Sequence, residues 1–292
     1  PNLGVGGMQL FRLESSDTSE KLLPRAASIA SEISVLYIAL SVVCGISYWL
    51  IGLSPFNALV HAMSTIATGG FSSKSGSIGS FNNINLEFIA VFFMIISSLP
   101  FVLYLKAVRG RPSVIIKDQQ VRGFFQILIL SSITVMSYLI ITGNFSSLEA
   151  IRYSLFNVTS ILTGTGFVTA EYDMWGTPII LIFLFITFIG GCAGSTTCGI
   201  KIFRLQIIYY NSKETIGKLI SPNRVINKKY NGEHLSSEIT QSVITFLFIF
   251  IVTFVVLSLL LSFTGLDLLT SFSAAATSIS NVGPGLGNMI GP

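Results

Sequence analysis

Five apolar stretches dominate the sequence, and each is long enough to cross a lipid bilayer. An α-helix rises 1.5 Å per residue, so about 20 apolar residues span the roughly 30 Å of hydrocarbon. The 292 residues are 51% hydrophobic and only 10% charged, with a mean hydropathy of +0.75, which excludes an ordinary water-soluble globule. We therefore predict an all-α polytopic membrane protein with spans near 30–52, 84–106, 121–142, 177–210 and 238–263.

Basic residues gather in two connections, which follow the second and the fourth span. Cytoplasmic connections of membrane proteins carry an excess of Lys and Arg, so both connections are predicted to be cytoplasmic. The net charge of +4 and the pI near 9.0 thus reflect topology, and no nucleic-acid partner is predicted. The two clusters are Lys106, Arg109, Arg111, Lys117 and Arg122, then Lys201, Arg204, Lys213, Lys218, Arg224, Lys228 and Lys229.

Acidic residues prevail on the opposite side of the membrane. An acidic outer mouth would concentrate cations. Alternatively, these acids only keep the exposed loops hydrated, and the sequence leaves both interpretations open. The acids are Glu87, Glu149, Glu171, Asp173 and Asp267, against the two bases Lys74 and Arg152.

The cysteines and histidines form no recognisable metal or disulfide pattern. Cys44, Cys192 and Cys198 lie in or beside apolar stretches, and their spacing to His61 and His234 is not that of a metal site. His61 stands without an acid or base partner in the sequence, and we interpret it as a packed or hydrogen-bonded residue. The chain opens at Pro1 with no visible secretory signal, and we expect it to be part of a longer protein.

The fourth apolar stretch is too long for one straight span and is interrupted at 190–199 by GGCAGSTTCG. Glycines and small polar residues at that density leave backbone groups without helical partners, which lipid cannot satisfy. The break must therefore face protein or a watery cavity. The alternative is a simple hinge that serves packing.

Three segments between the spans share one pattern, namely a cap residue, a short amphipathic helix and a glycine turn. They cover 54–73, 146–170 and 265–287, and their predicted N-caps are Ser54, Ser147 and Asp267. A helix from Pro55 to Ala67 reaches only about 20 Å, so it must enter the membrane and stop partway.

Such half-helices suit a cation pathway. A half-helix that enters from outside points the negative end of its dipole into the membrane, and carbonyl groups in the following turn can replace the water around an ion. Gly70, Gly166 and Gly283 follow one another at intervals of 96 and 117 residues, as a repeated unit would require. A single turn of this kind would more often serve helix packing, but three on one predicted side favour a pore.

The motifs HAMSTIATGGFS, LTGTGFVTAEYD, FIGGCAGSTTCGIK and SNVGPGLG resemble the TrkH branch of the TrkH/KtrB superfamily of bacterial potassium uptake proteins. The resemblance implies repeated M1–P–M2 (helix, half-helix, helix) potassium-channel-like units around a pseudo-fourfold pore. The units would be 1–26, the end of the first unit; 27–117, the second; 118–212, the third, with its M2 helix broken; 213–236, a cytoplasmic loop; and 237–292, the M1 helix and half-helix of the fourth.

The resemblance also assigns site residues. A selectivity filter would hold K⁺ through backbone carbonyls, and a loop within the third unit would gate the pore from the cytoplasmic side. Lys201, directly after that loop, would raise a barrier to ions, although snorkelling toward the cytoplasm is the favoured role. The filter residues would be Thr68, Gly69, Gly70, Gly164, Thr165, Gly166, Asn281, Val282 and Gly283, and the loop residues Gly190, Gly191, Cys192, Ala193, Gly194, Ser195, Thr196, Thr197, Cys198 and Gly199.

By resemblance, the protein would be a homodimer in the bacterial cytoplasmic (inner) membrane, with a TrkA-type cytoplasmic nucleotide-binding subunit as regulator and no covalently bound cofactor. The basic connections are candidates for docking that regulator, although the charge bias of cytoplasmic loops explains them equally well. Relative to the family pattern, the first filter segment and the last helix are not in this sequence, so the preference between K⁺ and Na⁺ at the first filter stays open.

Potassium uptake is thus the predicted function, and the protein is not predicted to be an enzyme. The alternatives are an ion-coupled symporter, a sodium-permeable relative and, less favoured, a polytopic membrane enzyme. A symporter would need ionisable residues within the spans, and an enzyme would need a paired acid and base at membrane depth. Neither pattern is evident in the five stretches.

Overall fold

The computed structural model describes residues 26–143, 145–221 and 229–287. Of the predicted first unit, 1–26, only residue 26 lies within these ranges. The basic residues Arg224 and Lys228 lie outside them. The helices are α1 (Ala26–Leu50), α2 (Pro55–Ile66), α3 (Ile84–Ser97), α4 (Phe101–Val108), α5 (Ser113–Lys117), α6 (Gln119–Ile141), α7 (Ser147–Leu162), α8 (Thr177–Phe188), α9 (Ile202–Ile220), α10 (Ser237–Ser262) and α11 (Leu268–Ser280).

Two single-turn 3₁₀ helices, Ile78–Phe81 and Tyr172–Trp175, follow the first two half-helices. A two-stranded antiparallel hairpin, β1 (Lys229–Tyr230) and β2 (Glu233–His234), lies in the predicted cytoplasmic loop. Helix α9 continues to Ile220, into the range 213–236, and the assignment of that range to a cytoplasmic loop stays a prediction.

Among the described residues, three single helices are long and apolar enough to cross a membrane, and they lie at Ile29–Leu50, Gln119–Ile141 and Ser237–Ser262. They match the first, third and fifth predicted spans. Their apolar side chains remain largely exposed in the chain, as those of Trp49, Phe248 and Val255 show. Exposed apolar surface along a membrane span faces lipid, so this exposure agrees with a polytopic membrane protein.

The second predicted span, 84–106, is wrong as one continuous helix. The chain bends by 89° between α3 and α4. Pro100 occupies the N-cap of α4, and a proline there removes a backbone donor and disfavours helical geometry in the residue before it. The fourth predicted span is interrupted as expected, and α8 has only 12 residues before the break.

Each short helix of the pattern packs against the long helix before it, so that α2 lies on α1, α7 on α6 and α11 on α10. This is the repeated unit that the sequence predicts. The N-caps of α2 and α11 are Ser54 and Asp267, as predicted. The N-cap of α7 is Ser146 rather than Ser147, because Ser146 forms a reciprocal capping box with Glu149.

Two apolar clusters hold the units together. Tyr48, Ile66, Met94 and Phe167 belong to the cluster formed with α1, α2 and α3. The larger cluster joins α6, α7 and α8 and includes the parallel rings of Tyr172 and Phe183, whose centroids are 4.3 Å apart. Val282, from the turn after α11, belongs to the larger cluster too, so the third turn is packed against the preceding unit.

Asp118 caps α6 and connects the β1–β2 hairpin to it by a hydrogen bond. Its Oδ1 accepts hydrogen bonds from the backbone N–H groups of Gln120 (2.8 Å) and Val121 (3.2 Å), and its Oδ2 accepts one from Asn231 Nδ2 (2.8 Å). We expect Asp118→Ala to lower the free energy of unfolding by about 1–2 kcal/mol, the usual cost of a lost cap. Unfolding of the detergent-purified protein by SDS, followed by circular dichroism, measures this change.

The control is Lys117→Ala, which removes the exposed neighbouring side chain and leaves the cap in place. Equal stability of the Asp118 and Lys117 variants would contradict the capping role of Asp118.

Candidate functional site

The three half-helices end in the same hydrogen-bonded turn. In each, an N–H group just beyond the helix bonds to the carbonyl five positions earlier, which is the Schellman arrangement. These bonds join Gly69 N to Ser64 O (2.7 Å), Thr165 N to Ser160 O (2.9 Å) and Val282 N to Thr277 O (3.0 Å). The repeated geometry identifies Thr68–Gly70, Gly164–Gly166 and Asn281–Gly283, here called the three triads, as structurally equivalent.

Backbone dihedral angles repeat in the triads as well. The first residues, Thr68, Gly164 and Asn281, have φ angles of 50°, 66° and 53°. The last residues, Gly70, Gly166 and Gly283, have φ angles of 68°, 80° and 104°. Left-handed backbone at both ends of each triad explains the glycines, and it is a strained conformation for the β-branched Thr68.

The triads lie side by side, with the carbonyl oxygen of one against the glycine of another. A β-carbon built on Gly70 would lie 2.0 Å from Thr165 O, and one built on Gly166 would lie 1.9 Å from Val282 O. No side chain fits in those two places. A β-carbon on Gly283 would meet no described atom within 4 Å. The predicted filter residues of the three turns are therefore brought together in space.

This arrangement concentrates negative potential. Three helix C-termini converge, and each carries roughly half an elementary negative charge on its last carbonyl groups. Buried hydroxyl-bearing residues line the same region, including Thr65, Ser160, Thr165 and Ser280. Within the described residues, the Oγ atoms of Ser64 and Ser160, at equivalent positions of α2 and α7, have no hydrogen-bond partner. Backbone oxygens in such a setting are ligands for an alkali cation.

The predicted interruption of the fourth span is a closed loop between α8 and α9. Its neck is held by two backbone bonds, Gly190 N to Ile200 O (3.1 Å) and Ile200 N to Phe188 O (2.9 Å). Gly190 is required at the neck, because a β-carbon there would lie 1.7 Å from Cys198 O. Gly190, Gly191, Cys192, Ala193 and Thr197 are buried, so this break faces protein and not lipid.

The bend between α3 and α4 receives this loop. Ser98 O accepts from Cys192 N (3.0 Å), Ser97 O accepts from Thr196 N (3.3 Å), and Phe101 N donates to Gly194 O (2.9 Å). The bend thus exposes carbonyl groups of α3 that a continuous helix would have kept for itself. The polar pair Ser97–Ser98 and Pro100 within an apolar run were the sequence signal for this contact, and the sequence analysis missed it.

Gln120 is a further residue that sequence reasoning missed. Its Oε1 accepts a hydrogen bond of 2.8 Å from the backbone N–H of Ala193, in the middle of the loop. Gln120 is fully buried near the start of α6. Nothing in its sequence context distinguished it from a surface glutamine of a helix N-terminus.

The loop also contacts two of the triads. Thr68 Oγ1 donates to Thr196 O (3.1 Å), and Asn281 Nδ2 donates to Cys198 Sγ (3.4 Å). Thr68 and Asn281 are the first residues of their triads. The interruption and the three turns therefore form one contiguous site.

Lys201 lies at the N-cap of α9, directly after the loop. It is only 7% exposed, so its side chain does not extend to the surface as the snorkelling interpretation expected. Lys201 is thus buried, and its role as a barrier to ions stays a prediction.

Three of the predicted outer acids, Glu87, Glu149 and Asp267, are engaged in an ion pair or a helix cap. Glu87 is buried and ion-paired with Arg152, and Glu149 belongs to the capping box of α7. Asp267 caps α11, where the side-chain hydrogen bond from Thr270 holds the pKa of Asp267 below its ordinary value. Hydration of loops does not explain Glu87, and the acidic mouth stays a prediction.

His61 is packed and hydrogen-bonded, as predicted. Its Nδ1 lies 2.8 Å from Asn57 O and its Nε2 lies 2.9 Å from Ser72 Oγ. The imidazole is fully buried and contacts the rings of Phe81 and Phe167. His61 thus supports the segment that follows the first triad.

The fold is that of a polytopic membrane protein built from repeated helix and half-helix units whose turns converge. The chain belongs to the TrkH family of cation transport proteins, whose family model matches residues 1–291. This membership confirms the predicted resemblance, the all-α polytopic fold with its repeated units, and the location in the bacterial cytoplasmic membrane.

Named relatives support the family assignment. The chain is 40% identical to the Trk system potassium uptake protein TrkI of Halomonas elongata over 295 residues, which cover 100% of this chain and 59% of the relative. It is 36% identical to the Trk system potassium uptake protein TrkH of Vibrio parahaemolyticus, with 99% of this chain and 61% of the relative covered.

The crystal structure of the potassium transporter TrkH from Vibrio parahaemolyticus is similar to this chain, with a TM-score of 0.88 and 33% identity. The similarity covers 98% of this chain and 63% of that one. The chain thus spans about three fifths of the length of these relatives.

Proposed function

We propose that the protein takes up potassium ions across the bacterial cytoplasmic membrane through a pore in which the three triads are selectivity-filter segments. The observation that carries this proposal is the direct contact between triads, in which Thr165 O and Val282 O lie against Gly70 and Gly166. The relatives named above are Trk system potassium uptake proteins, which supports K⁺ as the transported ion.

The proposed selectivity has a physical basis in the backbone. A permeating K⁺ ion sheds water, and carbonyl oxygens of Thr68, Gly69, Gly164, Thr165, Asn281 and Val282 replace it. The half-helix dipoles add a favourable potential at the same depth. Each triad is short, so fewer ordered carbonyl groups contribute than in a long filter strand, and we propose that rubidium and some sodium are admitted too.

We propose that the loop 190–199 is the gate on the cytoplasmic side of the filter. A half-helix that enters from outside reaches its greatest depth at its C-terminus, and the chain then returns outward, so Thr68 and Asn281 are the deepest triad residues. The loop contacts these two residues and therefore lies on the inner side of the triads. Opening breaks the hydrogen bonds that join the loop to its neighbours, each worth about 1 kcal/mol. Those neighbours are Ser97, Ser98, Phe101, Gln120, Thr68 and Asn281.

We further propose a homodimer that works with a TrkA-type cytoplasmic nucleotide-binding subunit, in keeping with the Trk system named for the relatives. Because cytoplasmic connections carry an excess of Lys and Arg, we propose that the basic residues of α9 and of the α4–α5 connection lie on the side on which such a subunit docks. Transport needs no catalytic group and no bound cofactor in this proposal. His61 and Glu87, which an enzyme could have used, are engaged in packing and in an ion pair.

The filter assignment predicts a loss of ion preference when a triad glycine is replaced. We expect Gly70→Ser and Gly166→Ser to lower the ratio of potassium to sodium uptake about tenfold, equal to about 1.4 kcal/mol of discrimination, because the new β-carbon displaces a neighbouring carbonyl. The measurement is ion uptake by cells that lack other potassium systems and express the complete gene product.

Gly143→Ser is the matched control for Gly70→Ser. Gly143 has a φ angle of 69°, almost that of Gly70, but a β-carbon there meets nothing within 4 Å. The control therefore carries the same backbone strain without the clash in the filter. Unchanged ion preference in both triad variants would remove the filter assignment.

The gate assignment predicts a gain of flux when the loop is shortened. Deletion of Gly194–Thr196 removes the bonds to Phe101, Ser97 and Thr68 and leaves the neck at Gly190 intact. We expect a severalfold higher rate of potassium uptake with the potassium-to-sodium ratio largely preserved. Equal or lower flux at a normal level of protein in the membrane would count against a gate.

A further inference from the structure

A bidentate ion pair joins the second half-helix to the unit before it. Arg152 Nε lies 2.6 Å from Glu87 Oε2, and Arg152 Nη2 lies 2.5 Å from Glu87 Oε1. The Glu87 side chain is 2% exposed and the Arg152 side chain 21% exposed. A planar guanidinium on both oxygens of a buried carboxylate fixes distance and orientation together, which a single hydrogen bond does not do.

The pair connects two helices that lead to the candidate site. Glu87 lies in the first turn of α3, whose other end supplies Ser97 and Ser98 to the loop 190–199. Arg152 lies in the first half of α7, whose C-terminus leads into the triad Gly164–Gly166. About ten residues, or roughly 15 Å of helix, separate Arg152 from the end of α7 at Leu162, two positions before that triad.

The far end of α7 is attached to the preceding unit by other bonds. Gly79 N donates to Val168 O (3.0 Å), and Val168 N donates to Ser77 Oγ (3.1 Å). Half-helix α7 is thus fixed to the preceding unit at both ends, by the ion pair near its start and by these bonds just beyond its triad. A rigid helix held at two points has a defined depth and tilt.

The position of Arg152 is not occupied by a charged residue in the other two half-helices. Arg152 stands fourteen residues before Gly166, and the residues at the same distance before Gly70 and Gly283 are Phe56 and Leu269. General packing of a half-helix against its neighbours therefore does not require an arginine. The charged pair is a feature of α7 in particular.

We propose that Glu87 and Arg152 are positioning residues that hold α7 so that Gly164, Thr165 and Gly166 keep the spacing needed for potassium preference. This inference rests on the proposed function of the triads. Neither side chain touches the ion, and each acts through the placement of the α7 helix. Thr165 O, which lies against Gly70, is the atom whose position depends most directly on that placement.

Mild variants test this inference without emptying the buried site. Arg152→Lys keeps the charge and loses the two-pronged contact, and Glu87→Asp keeps both charges and shortens the reach by one methylene. In each variant we expect the ratio of potassium to sodium uptake to fall about tenfold at a normal level of protein in the membrane, as expected for misplacement of a coordinating group by a fraction of an ångström.

Glu32→Gln is the matched control, since it removes an exposed pair in which Arg109 Nη2 lies 2.6 Å from Glu32 Oε2. It should leave the ratio unchanged. A ratio at the wild-type value in both Arg152→Lys and Glu87→Asp would overturn the inference. So would a wild-type ratio in Arg152→Lys combined with a changed ratio in Arg152→Gln, because only the charge near the outer entrance would then matter.

The charge-swapped variant, Glu87→Arg with Arg152→Glu, tests the inference in case the single variants fold poorly. Recovery of both membrane level and ion ratio relative to Glu87→Arg alone supports positioning, and recovery of membrane level without the ratio overturns it. Wild-type potassium uptake, measured in the same cells, separates the two proposals. If it is absent, the proposed function fails and this inference with it; if it is present, the variants decide the inference alone.

Discussion

A helix that ends inside a membrane leaves its last four carbonyl groups without intrahelical partners, and lipid offers none. The three half-helices of this chain meet that constraint in one way. Schellman bonds such as those to Ser64 O, Ser160 O and Thr277 O satisfy part of each terminus. Left-handed residues then turn the chain back, and Gly70 and Gly166 at the ends of the first two triads allow adjacent turns to touch. A cluster of oxygens remains where an ion can replace the missing donors.

The same constraint explains the irregular parts around the turns. The loop 190–199 is not an α-helix, and the N–H groups of Cys192 and Thr196 find partners on the bend of α3, while that of Ala193 bonds to Gln120. That bend in turn needs the loop, because Pro100 and the 89° turn free the carbonyl groups of Ser97 and Ser98. The two breaks in helical structure therefore satisfy one another. Since Thr68 also donates a hydrogen bond to the loop, a displacement of the loop would break a contact of the first triad.

Local chemistry made much of this predictable from the sequence. The length of the apolar stretches predicted α1, α6 and α10. Cap residues and glycine turns predicted the half-helices, because these signals lie at the two ends of a short segment of the sequence. The glycines Gly70, Gly166 and Gly283 were selected on the same ground, and the structure shows why the first two admit no side chain.

Long-range partners were not predictable in this way. The sequence around Pro100 was interpreted as one continuous span, because a proline within an apolar run is compatible with a kinked helix. The sharp turn depends on contacts with the loop 190–199, which is distant in the sequence. Glu87 looked like an acid of the outer mouth, because its partner Arg152 is 65 positions away in the sequence. The cap of α7 moved by one residue to Ser146, since both serines fit the pattern and only the reciprocal contact with Glu149 distinguishes them.

The central claim is that backbone oxygens of the triads coordinate a permeating alkali ion. Anomalous X-ray scattering from crystals of the complete gene product soaked in rubidium or thallium(I) tests it most directly. We expect ion density on an axis shared by Gly70, Gly166 and Gly283, in contact with Thr165 O and Val282 O. Ion density confined to other parts of the protein, with none between the three triads, would contradict the account.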